Sequence, residues 1–184
     1  MATAPDLFAN VAEVFIRPMR AGDVLEVVAI ERASYQFPWS EGIFRDCLRV
    51  GYVCRVLTVG HQVTGYGVMS VGAGEAHVLN LCVAEAFRCR GAGRRLLLCL
   101  LERAQAAGMA EAFLEVRPSN TTAIRLYQAV GFEHGHRKQR HRLATVGQRL
   151  HRVTEVQPDP FFRASGILIV IDVIIVVGGG RKAP

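Results

Sequence analysis

Arg88-Cys89-Arg90-Gly91-Ala92-Gly93 carries the clearest chemical signal in the chain. It lies between a strand-like run and a helix-like one, so its glycines fall at a helix N-terminus. Unpaired backbone N–H groups and the positive end of the helix dipole meet there, and glycines let a pyrophosphate approach the backbone closely. A G-x-G of this kind also suits a plain tight turn. Leu96 stands where a dinucleotide fingerprint needs its third glycine, and the G-K-[ST] of a P-loop is absent, which disfavours both of those readings.

About twenty residues further on the chain reads Leu114-Glu115-Val116-Arg117-Pro118-Ser119-Asn120, then Ala123, Leu126-Tyr127 and Gly131-Phe132. Together, R-x-x-G-x-G and L-E-V-R-x-S-N-x-x-A-x-x-L-Y-x-x-x-G-F resemble the GNAT superfamily of N-acetyltransferases. Within that superfamily, Phe37-Pro38-Trp39-Ser40 and Leu79-Asn80-Leu81-Cys82-Val83 are similar to the bacterial ribosomal-protein-alanine acetyltransferases. The resemblance covers Val14 to Phe132.

The resemblance implies an α/β fold, the GNAT acyl-CoA N-acyltransferase fold, with a mixed central sheet flanked by helices. It implies acetyl-CoA as acetyl donor, with the backbone of Leu81, Cys82 and Val83 pairing with its pantetheine arm. The N–H groups of Cys89, Arg90, Gly91, Ala92, Gly93 and Arg94 would hold the pyrophosphate, and Asn120 would also touch the cofactor. Glu115 matches the family's general base and Tyr127 its general acid. The implied acceptor is the N-terminal alanine of a small-subunit ribosomal protein, modified in the cytoplasm.

Those two roles agree with elementary acid–base chemistry. An α-amine has a pKa near ~7.7–8.0 and a thiol near ~8.5. A carboxylate can therefore take the proton of the attacking amine, directly or through one water, and a phenol can serve the departing thiolate. Strand alternation places Glu115 on the face of Phe113 and Arg117, opposite Leu114 and Val116. Without the motif, Glu115 would be an ordinary solvated glutamate and Tyr127 a core aromatic. Cys82 and Cys89 flank the loop, and an acyl-cysteine route is conceivable, but inert thiols are the simpler expectation. His77 reads as a strand residue rather than a ligand.

The elements that must position these residues follow from periodicity. Asp23 caps a predicted helix to Ser34 with Val24, Leu25, Val28 and Ala29 as its apolar stripe, and Ser40 caps a second with Ile43, Phe44, Cys47 and Leu48. Pro38 separates the two. Strand-like runs cover Tyr52–Val59, Val63–Val71 and Ala76–Val83, with turns at Gly60-His61 and Gly72–Glu75. Gly91–Ala107 reads as a helix with Leu96, Leu97, Leu100, Leu101 and Ala104 inward, stopped by Gly108. Ala110–Arg117 returns to strand, Asn120–Val130 to helix, and Gly131 stops the chain again.

Composition sets the outer bounds. The 184 residues are 51% hydrophobic and 21% charged, which fits one globular domain and excludes a disordered or fibrous chain. The five cysteines show no zinc-ligand spacing and read as reduced thiols, and no metal is expected. No signal peptide is expected at residues 1–10, and the apolar run 167–177, broken by Asp172, falls short of the ~20 residues of a membrane helix. Of the net charge of +6, residues 133–184 carry +5. The expected division is an N-terminal extension over 1–13, a catalytic domain over 14–136 and a basic, atypical and poorly integrated tail over 137–184.

That tail departs from the family. After Gly131-Phe132 the family continues with a tyrosine pair that lines the substrate groove, whereas here Gly135-His136-Arg137-Lys138-Gln139-Arg140 follows with no tyrosine. A frameshifted C-terminus and a divergent natural tail both fit, since arginine outnumbers lysine 20 to 2. The basic charge lacks interleaved aromatics, so specific nucleic-acid binding is disfavoured. Two other functions suit the same domain: acetylation of a small amine, or a non-catalytic acetyl-CoA-binding module whose tail docks on RNA.

Overall fold

Strand alternation divides the apolar residues between two cores. Val56, Val68, Leu79 and Cys82 pack with Val24, Val27, Trp39 and Phe44, while their neighbours Leu57, Met69, Val78 and Leu81 pack with Leu96, Leu97, Leu100 and Tyr127. Successive strand side chains point to opposite faces, so this division makes one sheet covered by helices on both sides. The computed structural model describes residues 14–134 and 138–142. Its elements are β1 (Val14–Pro18), α1 (Val24–Ser34), α2 (Glu41–Arg49), β2 (Val53–Val59), β3 (Gln62–Gly72), β4 (Glu75–Val83), α3 (Ala92–Ala106), β5 (Glu111–Glu115), α4 (Thr121–Val130), β6 (Glu133–His134) and β7 (Lys138–Arg142).

The sheet order is β1-β2-β3-β4-β5-β7-β6. Among the described residues only β4 and β5 pair in parallel, over Glu75↔Glu111 to Val78↔Leu114. β7 pairs antiparallel with β5, from Glu111↔Arg142 to Glu115↔Lys138. The sheet thus runs past residue 136, and five residues read from sequence as tail lie within it. The run 167–177 and the rest of the tail lie outside the described residues.

Gly67 on β3 lets α3 settle on the sheet: a Cβ there would stand 2.9 Å from Leu100 Cδ1 and 3.0 Å from Leu81 Cδ1. Leu96, Leu97, Leu100, Leu101 and Ala104 are all buried, as the helical period predicts. The apolar stripe of α1 differs from the sequence expectation. Its buried residues are Val24, Val27, Val28 and Glu31, while Leu25 is 65% exposed. The helix is turned so that a carboxylate occupies a core position.

Asp23 also departs from its expected role. Its side chain does not cap α1. Instead it accepts from both terminal nitrogens of Arg17, at 2.7 and 2.8 Å, and from the Arg20 N–H at 2.7 Å. The hydrogen bond from Arg17 outweighs burial and, with the Arg20 amide, holds the Asp23 carboxyl below the usual range. Its folded pKa lies below the unfolded one, so the carboxylate stabilises the fold above about pH 4, and that contribution disappears as pH falls through the folded value. Asp23→Asn is expected to cost about 1–3 kcal/mol near neutrality and progressively less in acid. Chemical denaturation across pH checks this.

Candidate active site

The site begins with one extra residue in β4. Val68 pairs with Asn80 and Met69 with Val78, which leaves Leu79 as a bulge. The bulge resets the strand's phase: Val78 and Leu81 face α3 and α4, whereas Leu79 and Cys82 face α1 and α2. It also bends the strand, and the β4–β5 pairing ends just before it, at Val78↔Leu114. From Leu79 onward β4 has an edge open towards the end of β5.

Alternation of the ladder decides which backbone groups face that edge. The Ala84 N–H bonds to the Thr64 carbonyl at 2.8 Å, so Cys82, two residues back, directs its backbone at Tyr66, its β3 partner. Leu81 and Val83 point the other way. The Val83 carbonyl accordingly accepts from Arg88 Nε at 2.8 Å, and the Leu81 carbonyl lies 3.5 Å from the Tyr35 hydroxyl. Of the three residues that sequence singled out, Leu81 and Val83 offer backbone to a ligand in the opening, and the backbone of Cys82 is committed to β3.

Arg88 also reaches Ser34 Oγ at 2.9 Å, tying the start of the loop to the end of α1. Cys89 and Gly91 both take left-handed backbone, at φ 59° and 80°. Gly91 is the N-cap of α3 and no side chain caps the helix. The first-turn amides of Ala92, Gly93 and Arg94 therefore face outward beside the exposed Arg90 and Arg94, an arrangement that suits a phosphate. At Gly93 an added Cβ would meet Leu126 Cδ2 at 3.5 Å. Gly91→Val would force a branched side chain into left-handed backbone. It is expected to weaken acetyl-CoA binding at least about tenfold, for a local conformational cost of about 1–2 kcal/mol. Calorimetric titration of the folded variant checks this, and unchanged affinity contradicts the assignment.

Glu115 is the last residue of β5 and is partly buried. Leu114 lies in the α3/α4 core, so Glu115 sits on the opposite face with Phe113, whose ring stacks on His77 at 5.2 Å. Tyr127 comes from α4 on the other side, fully buried, with its ring 5.7 Å from Phe132. Its hydroxyl finds no hydrogen-bond partner among the described residues. Burial pushes its pKa well above the ordinary phenol value, so it stays protonated. A buried donor without an acceptor is costly, and a ligand atom or a water beside it would relieve that cost. Asn120 caps α4, its Oδ1 accepting from the Ala123 N–H at 3.1 Å.

The buried thiols are poor nucleophiles, whereas Cys89 in the loop is exposed. Burial pushes Cys47 and Cys54 up to about 12 and also raises Cys82. What sequence reasoning missed is a polar cluster on the α1 side of β4. Glu31, 1% exposed, accepts from the Trp39 N–H at 2.8 Å, from the Tyr66 hydroxyl and from Asn80 Nδ2. Burial raises its pKa against the pull of those donors. The available signal was the spacing Val24, Val27, Val28, Glu31, which puts the carboxylate in the helix's buried stripe.

The acetyltransferase (GNAT) family model matches residues 24–132. A [ribosomal protein bS18]-alanine N-acetyltransferase of Haemophilus ducreyi is 34% identical over 110 residues, covering 60% of this chain and 76% of that protein. One from Escherichia coli K12 is 30% identical over 149 residues, covering 81% and 95%. The crystal structure of the Escherichia coli ribosomal-protein-S18-alanine N-acetyltransferase aligns with a TM-score of 0.68 at 26% identity, over 76% of this chain and 100% of that one. A Thermoplasma acidophilum PaiA N-acetyltransferase solved with coenzyme A shares the fold, with a TM-score of 0.59 at 16% identity over 71% and 99% of the two chains.

Proposed function

The chain belongs to the acetyltransferase (GNAT) family and is an acetyl-CoA-dependent N-acetyltransferase, and from that premise we propose that it acetylates the α-amine of an N-terminal alanine, carried by a small-subunit ribosomal protein. Relatives at 30–34% identity bear the name of that reaction, which supports the acceptor. The observation that carries the chemistry is the buried Tyr127 hydroxyl, which has no partner among the described residues.

The residues present fit acetyl-CoA, which supplies an activated acetyl thioester when bound. The N–H groups of Leu81 and Val83 hold the pantetheine arm. The amides of Cys89 to Arg94 hold the pyrophosphate, and Asn120 adds a contact from the start of α4. Glu115 takes the proton of the amine, directly or through one water, so that a neutral nitrogen attacks. Tyr127 donates its phenolic proton to the sulfur as the C–S bond breaks, and the second proton that the nitrogen sheds on becoming an amide restores the phenol; burial keeps the phenolic proton in place until a strong base develops beside it. Base and acid come from opposite faces of the sheet, so the two proton transfers do not compete for one position.

No helix among the described residues is long and apolar enough to cross a membrane, and the proposed reaction belongs in the cytoplasm, where ribosomal proteins and acetyl-CoA meet. A short Ala-initiated basic peptide is the direct test against a polyamine and an aminoglycoside. The expected result is a kcat/KM at least about 100-fold higher for the peptide. Equal or better turnover of the small amines would replace the acceptor while leaving the chemistry.

A further inference from the structure

The polar cluster under the α1–α2 connection has a direction. Glu31 is acceptor-only when ionised, and the Trp39 N–H, the Tyr66 hydroxyl and Asn80 Nδ2 all turn towards it. Tyr66 has a single proton, and its close contact with Glu31 commits it there. Asn80, with its nitrogen held by the carboxylate, presents Oδ1 on the other side, where the Tyr35 hydroxyl lies at 3.5 Å. The same hydroxyl is 3.5 Å from the Leu81 carbonyl at the open edge of β4. Both neighbours are acceptors, so Tyr35 is the donor to them, and its lone pairs are left for something else.

Both contacts lie at the outer limit of a hydrogen bond, so neither locks the hydroxyl. The Cys82 sulfur beside it is a further acceptor for the hydroxyl, and as a donor its thiol is too weak to fill those lone pairs. Tyr127 lies within electrostatic range of Tyr35. The backbone of Tyr35 is held by its N–H to the Glu31 carbonyl at 3.0 Å, and its side chain is only partly covered.

We propose that the Tyr35 hydroxyl positions the acceptor nitrogen, taking one of its N–H groups at the open edge of β4 while Glu115 takes the proton that is lost. An amine brings only donors once its lone pair is reserved for attack, so an oriented acceptor is what it needs. A primary amine has an N–H for each of the two residues, whereas a neutral secondary amine has one fewer. Tyr35 thereby selects for primary amines. The assignment rests on the acetyl-transfer reading above and adds a residue that the motif resemblance does not supply.

The test is Tyr35→Phe, which keeps the ring, measured with an Ala-initiated peptide and its N-methylalanine counterpart. The expected result is a KM for the alanine peptide raised about tenfold, a KM for acetyl-CoA within about twofold of wild type, and a preference for primary over secondary amine that collapses towards unity. An unchanged peptide KM, or equal losses for peptide and acetyl-CoA, would overturn the assignment. If wild type acetylates a small amine but no peptide, the acceptor reading fails alone and the same pair of measurements on that amine decides Tyr35. If wild type transfers acetyl to no amine, both readings fall.

Discussion

Tyr127→Phe is expected to lower kcat by about 100-fold or more, the usual size of a lost general acid, while the protein becomes more stable. The two effects share a cause. The hydroxyl is buried without a partner among the described residues, so its removal relieves a desolvation cost of about 1–3 kcal/mol. A tyrosine that served only the core would show the gain in stability without the loss of activity, because phenylalanine keeps the ring and its contact with Phe132. Steady-state kinetics and thermal unfolding of one preparation check the pair. Unchanged activity would return Tyr127 to a packing role, and loss of activity together with loss of stability would show that its hydroxyl serves the fold.

Glu115→Gln is expected to show a deficit that depends on pH. Near pH 7 about a tenth of an α-amine with pKa near ~8 is neutral, and the variant must draw on that fraction alone. A rate loss of about 100-fold is expected there. Near pH 9 most of the amine is neutral, so the deficit should shrink by roughly tenfold. Tyr127→Phe gains no such rescue, because the acid acts on the leaving group and not on the nucleophile. A pH–rate profile of Glu115→Gln parallel to wild type removes Glu115 from the base role.

What sequence reveals of this fold is what local chemistry controls. The period of Leu96, Leu97, Leu100 and Leu101 marks α3, and left-handed Gly108 and Gly131 end their helices where glycine is needed. Ala73 and Gly74, both at positive φ, make the tight β3–β4 turn. Pairing partners far away in sequence are not visible in this way. β1 lies at the edge of the sheet, with Phe15 52% exposed, and its five residues end in a proline that obscures the pattern. β7 reads Lys-Gln-Arg-His-Arg, without apolar alternation, and is a strand because β5 offers it an edge.

The site divides along the same line. The candidates Glu115, Tyr127 and the glycine loop are picked out by motif resemblance, since each motif is a contiguous stretch. The bulge at Leu79 is a one-residue offset against β3 and leaves no mark in β4 itself. It nevertheless decides that Leu81 and Val83, rather than Cys82, face the opening. Glu31 is tolerated in the core because Tyr66 and Asn80, 35 and 49 residues away, supply donors, and no local pattern predicts that. Tyr35 reaches the same network at Asn80 Oδ1, 45 residues away.

The proposed reaction is transfer of an acetyl group to an α-amine at the opening between β4 and β5. Its most direct test is a single turnover with isotopically labelled acetyl-CoA and an Ala-initiated peptide that also contains lysine, followed by fragmentation mass spectrometry to locate the label. The expected result is label on the N-terminal nitrogen with wild type, and its near-complete loss with Tyr127→Phe. Label on the lysine side chain alone, or label released only as free acetate, would contradict the account.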